Sequence, residues 1–289
     1  MERRGFILSG ASLAVAGLAA PQEKLTADKV VERIKAKVEV PWRQETVDKI
    51  VAGEPGVEVK GIATTMMATL DVLQRAAAAG KNMVITHEPT FYTHLDTTKE
   101  LENNPTYQFK ADFIRKNNMA VFRFHDHWHA HRPDGIATGM IHDLGWEKNV
   151  DEQNRRLFTF PATPLARFTK DIQAKLKIRA MRVIGDPAMP VQKVAASWGY
   201  TDRLPGINAL SRPEVDVLIV GESREWEVIE FAQDIIASGK KKAFIALGHV
   251  VSEQSGMKYC AEWLKPFFPE VPVEFVAAAE PFWTPDSPA

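Results

Sequence analysis

Thr69-Leu70-Asp71-Val72-Leu73-Gln74-Arg75-Ala76-Ala77-Ala78-Ala79-Gly80-Lys81-Asn82-Met83-Val84-Ile85-Thr86 reads as an Ala- and Leu-rich helix over 69–79, stopped by Gly80, followed by a short apolar strand over 82–86. Before it, 57–63 has the pattern of a strand. After it come a helix over 107–117 and a further strand over 119–124. The order β-α-β-α-β predicts an α/β fold, with parallel strands side by side and helices on the faces of the sheet. Upstream, 24–50 reads as helical, with Val30, Val31, Ile34 and Val38 near one face and Pro41 interrupting.

The same grammar returns near the C-terminus. Strand, helix, strand and helix are expected over 215–220, 225–238, 242–247 and 253–266, with a last strand over 273–276. Between these halves Pro161, Pro164, Pro187, Pro190 and Pro205 cut the chain into short pieces. The expected elements there are a helix over 163–177 and strands over 181–184 and 191–198. The reading is a two-lobed α/β chain, with lobes over about 21–140 and 205–280, a variable middle region and a Pro-rich tail over 281–289.

Composition narrows the function. The 289 residues are 45% hydrophobic and 25% charged, which fits a soluble globular protein with a sizeable core. Lys+Arg 36 against Asp+Glu 37 gives a net charge of -1, so no general positive field holds nucleic acid or an anionic membrane. With Cys260 alone, neither an internal disulfide framework nor a thiolate zinc site can form; any metal must be held by imidazole and carboxylate.

Residues 1–20 read as a leader. Arg3 and Arg4 are paired within Glu2-Arg3-Arg4-Gly5-Phe6-Ile7-Leu8, and the small, modestly apolar stretch from Phe6 to Ala20 is too short to span a bilayer. This is similar to a twin-arginine export signal cleaved near Ala19 or Ala20, implying a bacterial protein exported already folded, periplasmic or otherwise outside the cytoplasm, with no stable membrane insertion after cleavage. Its removal takes away Glu2, Arg3 and Arg4 and leaves 34 basic against 36 acidic residues, or -2.

Chemistry gathers where expected strands end. Met83-Val84-Ile85-Thr86 runs into His87-Glu88-Pro89. Val121-Phe122-Arg123-Phe124 runs into His125-Asp126-His127-Trp128-His129-Ala130-His131, and Phe244-Ile245-Ala246-Leu247-Gly248 runs into His249, with Glu253 four residues on. Ligands collect beyond the carboxyl ends of strands in open α/β sheets, so these groups can converge. His249 and Glu253, one helical turn apart, can face one cation; equally, Ser252 or Glu253 can serve a helix start. His125, His127, His129 and His131 alternate, so on a strand or extended loop all four would share a face that suits a divalent cation. Spacing does not say which of them are ligands, and a solvated histidine run has the same pattern. Adjacent His87 and Glu88 project differently, which suits two ions about 3.5–4 Å apart, although the pair can also simply begin a loop. His94 and His142 read as surface or supporting residues.

These pieces together resemble the Nif-three-like (YbgI-type) dinuclear-metal proteins, a group also described as a second type of GTP cyclohydrolase, over about 30–276. The family carries T/A-H-H-P where this chain has Thr86-His87-Glu88-Pro89, and H-T-N-L-D where it has His125-Asp126-His127-Trp128-His129. Its T-G-E segment corresponds to Val220-Gly221-Glu222. Its G-H-x-x-S/T-E motif stands intact as Gly248-His249-Val250-Val251-Ser252-Glu253. The resemblance implies sheets flanked by helices with the metal site between two lobes, and His87, Glu88, His129, His249 and Glu253 as ligands of two divalent ions: zinc, manganese or iron. His125, His127, His131 and Glu222 are additional ligand or catalytic candidates. Glu88 and His129 stand where the family has His and Asp, and Ser197-Trp198-Gly199-Tyr200 replaces a Gly-rich segment, so relatives' substrates do not transfer directly.

The resemblance further implies a homo-oligomer, commonly a hexameric ring, and a metal-dependent hydrolase that uses a metal-bridged water on an unknown small-molecule substrate, with Glu253 touching both ions. The alternative is a metal-binding or interaction module without turnover, since neither a phosphate loop nor a nucleophilic Ser or Cys motif occurs. A metallo-β-lactamase-like or amidohydrolase-like reading of His125-Asp126-His127 is weaker; the first of these needs Asp and His in tandem shortly afterwards, and Trp128-His129 does not supply them. The leader makes the first testable claim: replacing Arg3 and Arg4 together by Lys should hold the protein in the cytoplasm, and unaltered export in cell fractionation would show that the leader is misread.

Overall fold

The computed structural model describes residues 24–285, so the expected twin-arginine leader lies outside the described residues. The chain begins with α1 (Ala27–Lys37), β1 (Ile50–Ala52), β2 (Ile62–Thr65), α2 (Leu70–Ala78), β3 (Met83–Thr86), α3 (Pro105–Lys116) and β4 (Ala120–Arg123). It continues through α4 (Asp126–Ala130), α5 (Gly135–Leu144), β5 (Leu157–Pro164), α6 (Leu165–Leu176), β6 (Arg182–Ile184) and β7 (Pro190–Tyr200). It ends with α7 (Arg203–Ser211), β8 (Val217–Glu222), α8 (Glu230–Ala237), β9 (Ala243–Ala246), α9 (His249–Leu264) and β10 (Val273–Phe275). No helix among the described residues is long and apolar enough to cross a membrane.

Local chemistry sets many of these boundaries. The Thr69 hydroxyl accepts the Val72 N–H and starts α2. Asn104 accepts the N–H groups of Thr106 and Tyr107, with Pro105 at the first helical position of α3. Asp134 caps α5, and Gly145, left-handed at φ 64°, ends it.

Two sheets form. The first has the order β1-β4-β3-β2-β10, with β1 antiparallel and the others parallel; the second has the order β5-β7-β8-β9-β6, with antiparallel strands at both edges. The β-α-β-α-β reading of the N-terminal half therefore describes the parallel core of the first sheet. Two features of the organisation differ from the sequence reading. The middle region supplies β5, β6 and β7 to the second sheet, and β10 returns from the C-terminal half to the edge of the first.

The differences have local causes. The expected helix over 163–177 starts at Leu165, because Pro161 and Pro164 belong to β5, an edge strand where a missing N–H costs little. The helix expected from 225 opens as a wide turn broken at Glu227, whose φ of -114° and ψ of -108° are not helical. The strand expected over 57–63 is only Ile62–Thr65, and α1 stops at Lys37 rather than running on toward Ile50. Helix α5 was not foreseen, since Gly135 and Gly139 argue against a helix by propensity. Packing overrides that preference: a Cβ on Gly135 would lie 2.1 Å from the Trp128 ring, and one on Gly139 would lie 2.2 Å from the Ser255 carbonyl oxygen.

Helix α9 lies between the sheets, touching β2 and β10 on one side and β7 and β8 on the other, with α5 against its flank. Ten of its residues are buried, among them Met257, Cys260 and Leu264. A Cβ on Gly256 would stand 2.4 Å from the Ile136 Cα. Gly139→Ala and Gly256→Ala should therefore each destabilise the protein by about 2–3 kcal/mol through overpacking. Gly56→Ala, with nothing within 4 Å of the added Cβ, should stay within about 0.5 kcal/mol of wild type. Urea unfolding midpoints check this, and equal midpoints for Gly139→Ala and Gly56→Ala would refute the close helix approach.

Candidate metal centre

The ends of both sheets meet at the N-terminus of α9. Strand β3 delivers His87 and Glu88, β4 and α4 deliver His125 and His129, β9 leads into His249, and Glu253 follows one turn along α9. His87 is completely buried and Glu253 nearly so.

Segment 125–131 is not extended. Its helical turn, α4, puts His125 and His129 on one side and carries His127 and His131 away, which corrects the expectation that all four share a face. The Asp48 carboxylate makes this turn by accepting the N–H groups of His125, Asp126 and His127 at 2.7–2.9 Å. His127 is used up structurally: Nδ1 meets Asp48 at 2.7 Å, Nε2 accepts the Arg43 N–H at 3.0 Å, and the ring stacks on Trp42. His131 bonds the Pro133 carbonyl at 2.8 Å and packs on Trp128 and Trp263. His142 is exposed beside Asp143.

His94 lies edge-on to His125, ring centroids 6.2 Å apart, and the other four imidazoles share one arrangement. Each has Nδ1 at an acceptor: His87 at the Phe124 carbonyl (3.2 Å), His125 at Asp126 (2.9 Å), His129 at Asp134 (3.1 Å) and His249 at Glu222 (3.1 Å). Such partners hold the ring and leave Nε2 as the lone-pair donor, as in ligand histidines generally. The four Nε2 atoms face Glu88 and Glu253. Glu253 Oε2 is 3.7 Å from His87 Nε2 and 3.1 Å from His249 Nε2, while Glu253 Oε1 is 3.9 Å from His129 Nε2. Glu88 Oε1 is 3.7 Å from His125 Nε2 and 3.4 Å from His249 Nε2.

Most of these separations are too long for hydrogen bonds. They match the roughly 3.4 Å between neighbouring ligands of a tetrahedral ion bound at about 2.0–2.2 Å. His87 Nε2 is buried without any hydrogen-bond partner, an orphan that a cation would satisfy. Ligand atoms of His87, His125 and His129 lie within 4.8 Å of one another, as do those of His87, Glu88 and Glu253, so the residues present fit a metal.

Electrostatics agree with the geometry. Burial, aided by the imidazoles of His125 and His129, holds the His87 pKa well below its ordinary value, which keeps its lone pair available. For His129 burial works downward, but the Asp134 hydrogen bond and charge outweigh it and the pKa rises. Burial likewise opposes the charge of His249, yet hydrogen bonds donated to the carboxylates of Glu222, Glu253 and Glu88 push its pKa up to about 12. So much negative charge around one nitrogen favours a cation there, whether a proton or a metal.

Sequence reading does not reveal the residues that support the candidate ligands. Arg123, fully buried at the end of β4, donates to the carbonyls of His87 and His94 and to Glu88 Oε2. A charged residue closing an apolar strand was the available signal. Gly199, left-handed at φ 74°, lies so near Glu253 that a Cβ would fall 2.2 Å from Oε1; the departure at Ser197-Trp198-Gly199-Tyr200 thus forms the wall behind that carboxylate.

Two parallel-cored sheets, a helix between them and a His/Glu cluster at their meeting ends define an α/β protein with a candidate metal centre. The chain belongs to the Duf34/NIF3 (NGG1p interacting factor 3) family, whose model matches residues 25–281. A Chlamydia pneumoniae protein called "GTP cyclohydrolase 1 type 2 homolog" is 24% identical over 241 residues, covering 80% of this chain and 88% of the relative. Among solved structures, a Bacillus cereus protein related to NIF3 has a TM-score of 0.70 at 14% identity, covering 91% of this chain and 100% of that one. Staphylococcus aureus protein SA1388 has a TM-score of 0.69 at 15% identity, covering 90% of this chain and 99% of that one.

Glu253→Gln should lower metal content toward zero, because both carboxylate oxygens face imidazoles, while His129→Ala should chiefly lose one ion. His127→Ala should keep the metal content and cost about 2 kcal/mol of stability through the loss of the Asp48 bond. Elemental analysis per subunit decides it; Glu253→Gln protein with wild-type metal would show that α9 does not organise the centre.

Proposed function

We propose that His87, Glu88, His125, His129, His249 and Glu253 hold two divalent cations and that the protein is a metal-dependent hydrolase. The observation that carries this reading is the shared orientation of the four imidazoles: every Nδ1 has an acceptor and every Nε2 faces Glu88, Glu253 or both. His125 joins the ligand set on its position beside His87 and His129. Zinc, manganese and iron suit such mixed nitrogen and oxygen ligation. When bound, a pair of such ions supplies Lewis acidity and brings the pKa of a shared water toward neutrality.

The chain's own residues do the rest. Glu253 offers one oxygen toward His129 and the other toward His87 and His249, so it spans the centre. Arg123 fixes Glu88 by holding Oε2 at 3.2 Å, which turns Oε1 toward His125 and His249. Glu222, half exposed and bonded to His249 Nδ1, can carry a proton between solvent and site. The name borne by the Chlamydia relative accords with hydrolysis of a cyclic C–N bond. In the same reading, the mature protein works outside the cytoplasm after loss of its leader and assembles as a homo-oligomeric ring, a hexamer.

Native mass spectrometry of the mature protein, purified without added metal, tests ions and assembly together, and a hydrolase substrate panel tests turnover. Two ions per subunit, six subunits and an activity abolished by chelator and restored by one metal are expected. Absence of metal would overturn the proposal, and metal without turnover on any substrate would leave the metal-binding module.

A further inference from the structure

Next to the candidate metal centre, the segment after Pro89 lines an open pocket of about 530 Å³ whose wall includes Glu88. Met67, Leu70, Pro89 and Tyr92 supply apolar wall. The rim is held in an unusual backbone shape: Tyr92 has φ 67° and Asp96 φ 53°, left-handed values that cost free energy for residues other than glycine. Asp96 Oδ1 stabilises the turn by accepting the N–H groups of Thr90 and Phe91, and buried Arg123 donates to the His94 carbonyl from below.

Two polar groups in the cavity wall have more bonding capacity than the protein uses. The Thr90 hydroxyl is buried with no hydrogen-bond partner. Lys110 is only 3% exposed; the hydrogen bond of its Nζ goes to the Thr90 carbonyl at 2.6 Å, and the ammonium lies 5.4 Å from the centroid of the Tyr92 ring. An ammonium has three donors. Of the nearby carboxylates, Asp96 accepts backbone N–H groups on Oδ1 while its buried Oδ2 has no hydrogen bond and lies 3.8 Å from Arg123 Nη1, and Glu88 is held by Arg123 and His249. A buried cation and a buried orphan hydroxyl side by side, with ring-sized apolar walls, are complementary to an anion carried on a flat apolar body.

We propose that this cavity is the substrate pocket of the metal centre and takes a small aromatic or heteroaromatic anion, its ring against Met67, Leu70 and Tyr92 and its anionic group on Lys110 Nζ and the Thr90 hydroxyl. The identity of the pocket rests on Lys110 and Thr90; only the chemistry at its Glu88 end rests on the hydrolase reading.

Calorimetry on the full mature protein with benzoate, benzamide and acetate as probes tests this, with metal analysis of the same samples. Benzoate should bind at least tenfold more tightly than neutral benzamide or ringless acetate. Lys110→Met, of similar shape, should weaken benzoate about tenfold, and Thr90→Val severalfold, with metal content unchanged. Equal affinity for benzoate and benzamide, or unchanged benzoate affinity in both variants with wild-type circular dichroism, would overturn the pocket; benzoate would then be meeting the cations alone, and the metal reading would stand. Lys110-dependent benzoate binding by protein that holds no metal would keep the pocket and remove the hydrolase reading.

Discussion

The position of α9 between the two sheets is the constraint on which the candidate site depends. A helix packed between two sheets must meet each neighbour at close range, and α9 does so with small residues and backbone groups. The Thr64 hydroxyl of the first sheet donates to the Met257 carbonyl at 2.7 Å, and Trp128 Nε1 donates to the Gly256 carbonyl at 3.3 Å. From the second sheet, the Gly199 N–H reaches Ser252 Oγ at 3.0 Å, and that hydroxyl donates in turn to the His249 carbonyl at 2.8 Å. These bonds set the rotation and height of the helix. Since His249 and Glu253 lie one turn apart on it, setting the helix also sets both side chains against His87, Glu88, His125 and His129.

How much of this was legible in the sequence follows from the range of the forces involved. Elements with local punctuation were readable: the Thr69 cap and Gly80 bracket α2, and apolar runs mark β3, β4, β8 and β9. So was the gathering of His87, His125 and His249 at strand ends. Elements determined by distant partners were not. Helix α5 carries glycines whose reason is the surfaces of Trp128 and Ser255, and β10 finds β2 across more than 200 residues of chain. The histidine run failed for the same reason. Alternation favours a strand, but Asp48, 77 residues upstream of His125, gathers three successive N–H groups and coils the segment into a turn. That single carboxylate decides which two of the four imidazoles reach the centre.

The exchange of residue types at 88 and 129 is the part of the site that pattern alone leaves hardest to judge, and its surroundings account for it. The related motifs offer His-His, His and Asp, then His and Glu: four imidazoles and two carboxylates. This chain offers His87, Glu88, His125, His129, His249 and Glu253, which is again four and two. The formal charge of the candidate set is therefore the same, although its placement has moved. A carboxylate at 88 is largely shielded from solvent and needs a cation partner; Arg123 provides one, holding Oε2 while Oε1 remains turned toward His125 and His249. An imidazole at 129 needs an acceptor on Nδ1 so that Nε2 can face Glu253, and Asp134, which also caps α5, provides it. The two partners come from different elements, Arg123 from β4 and Asp134 from the start of α5, and Glu88 Oε1 and His129 Nε2 both face the candidate centre.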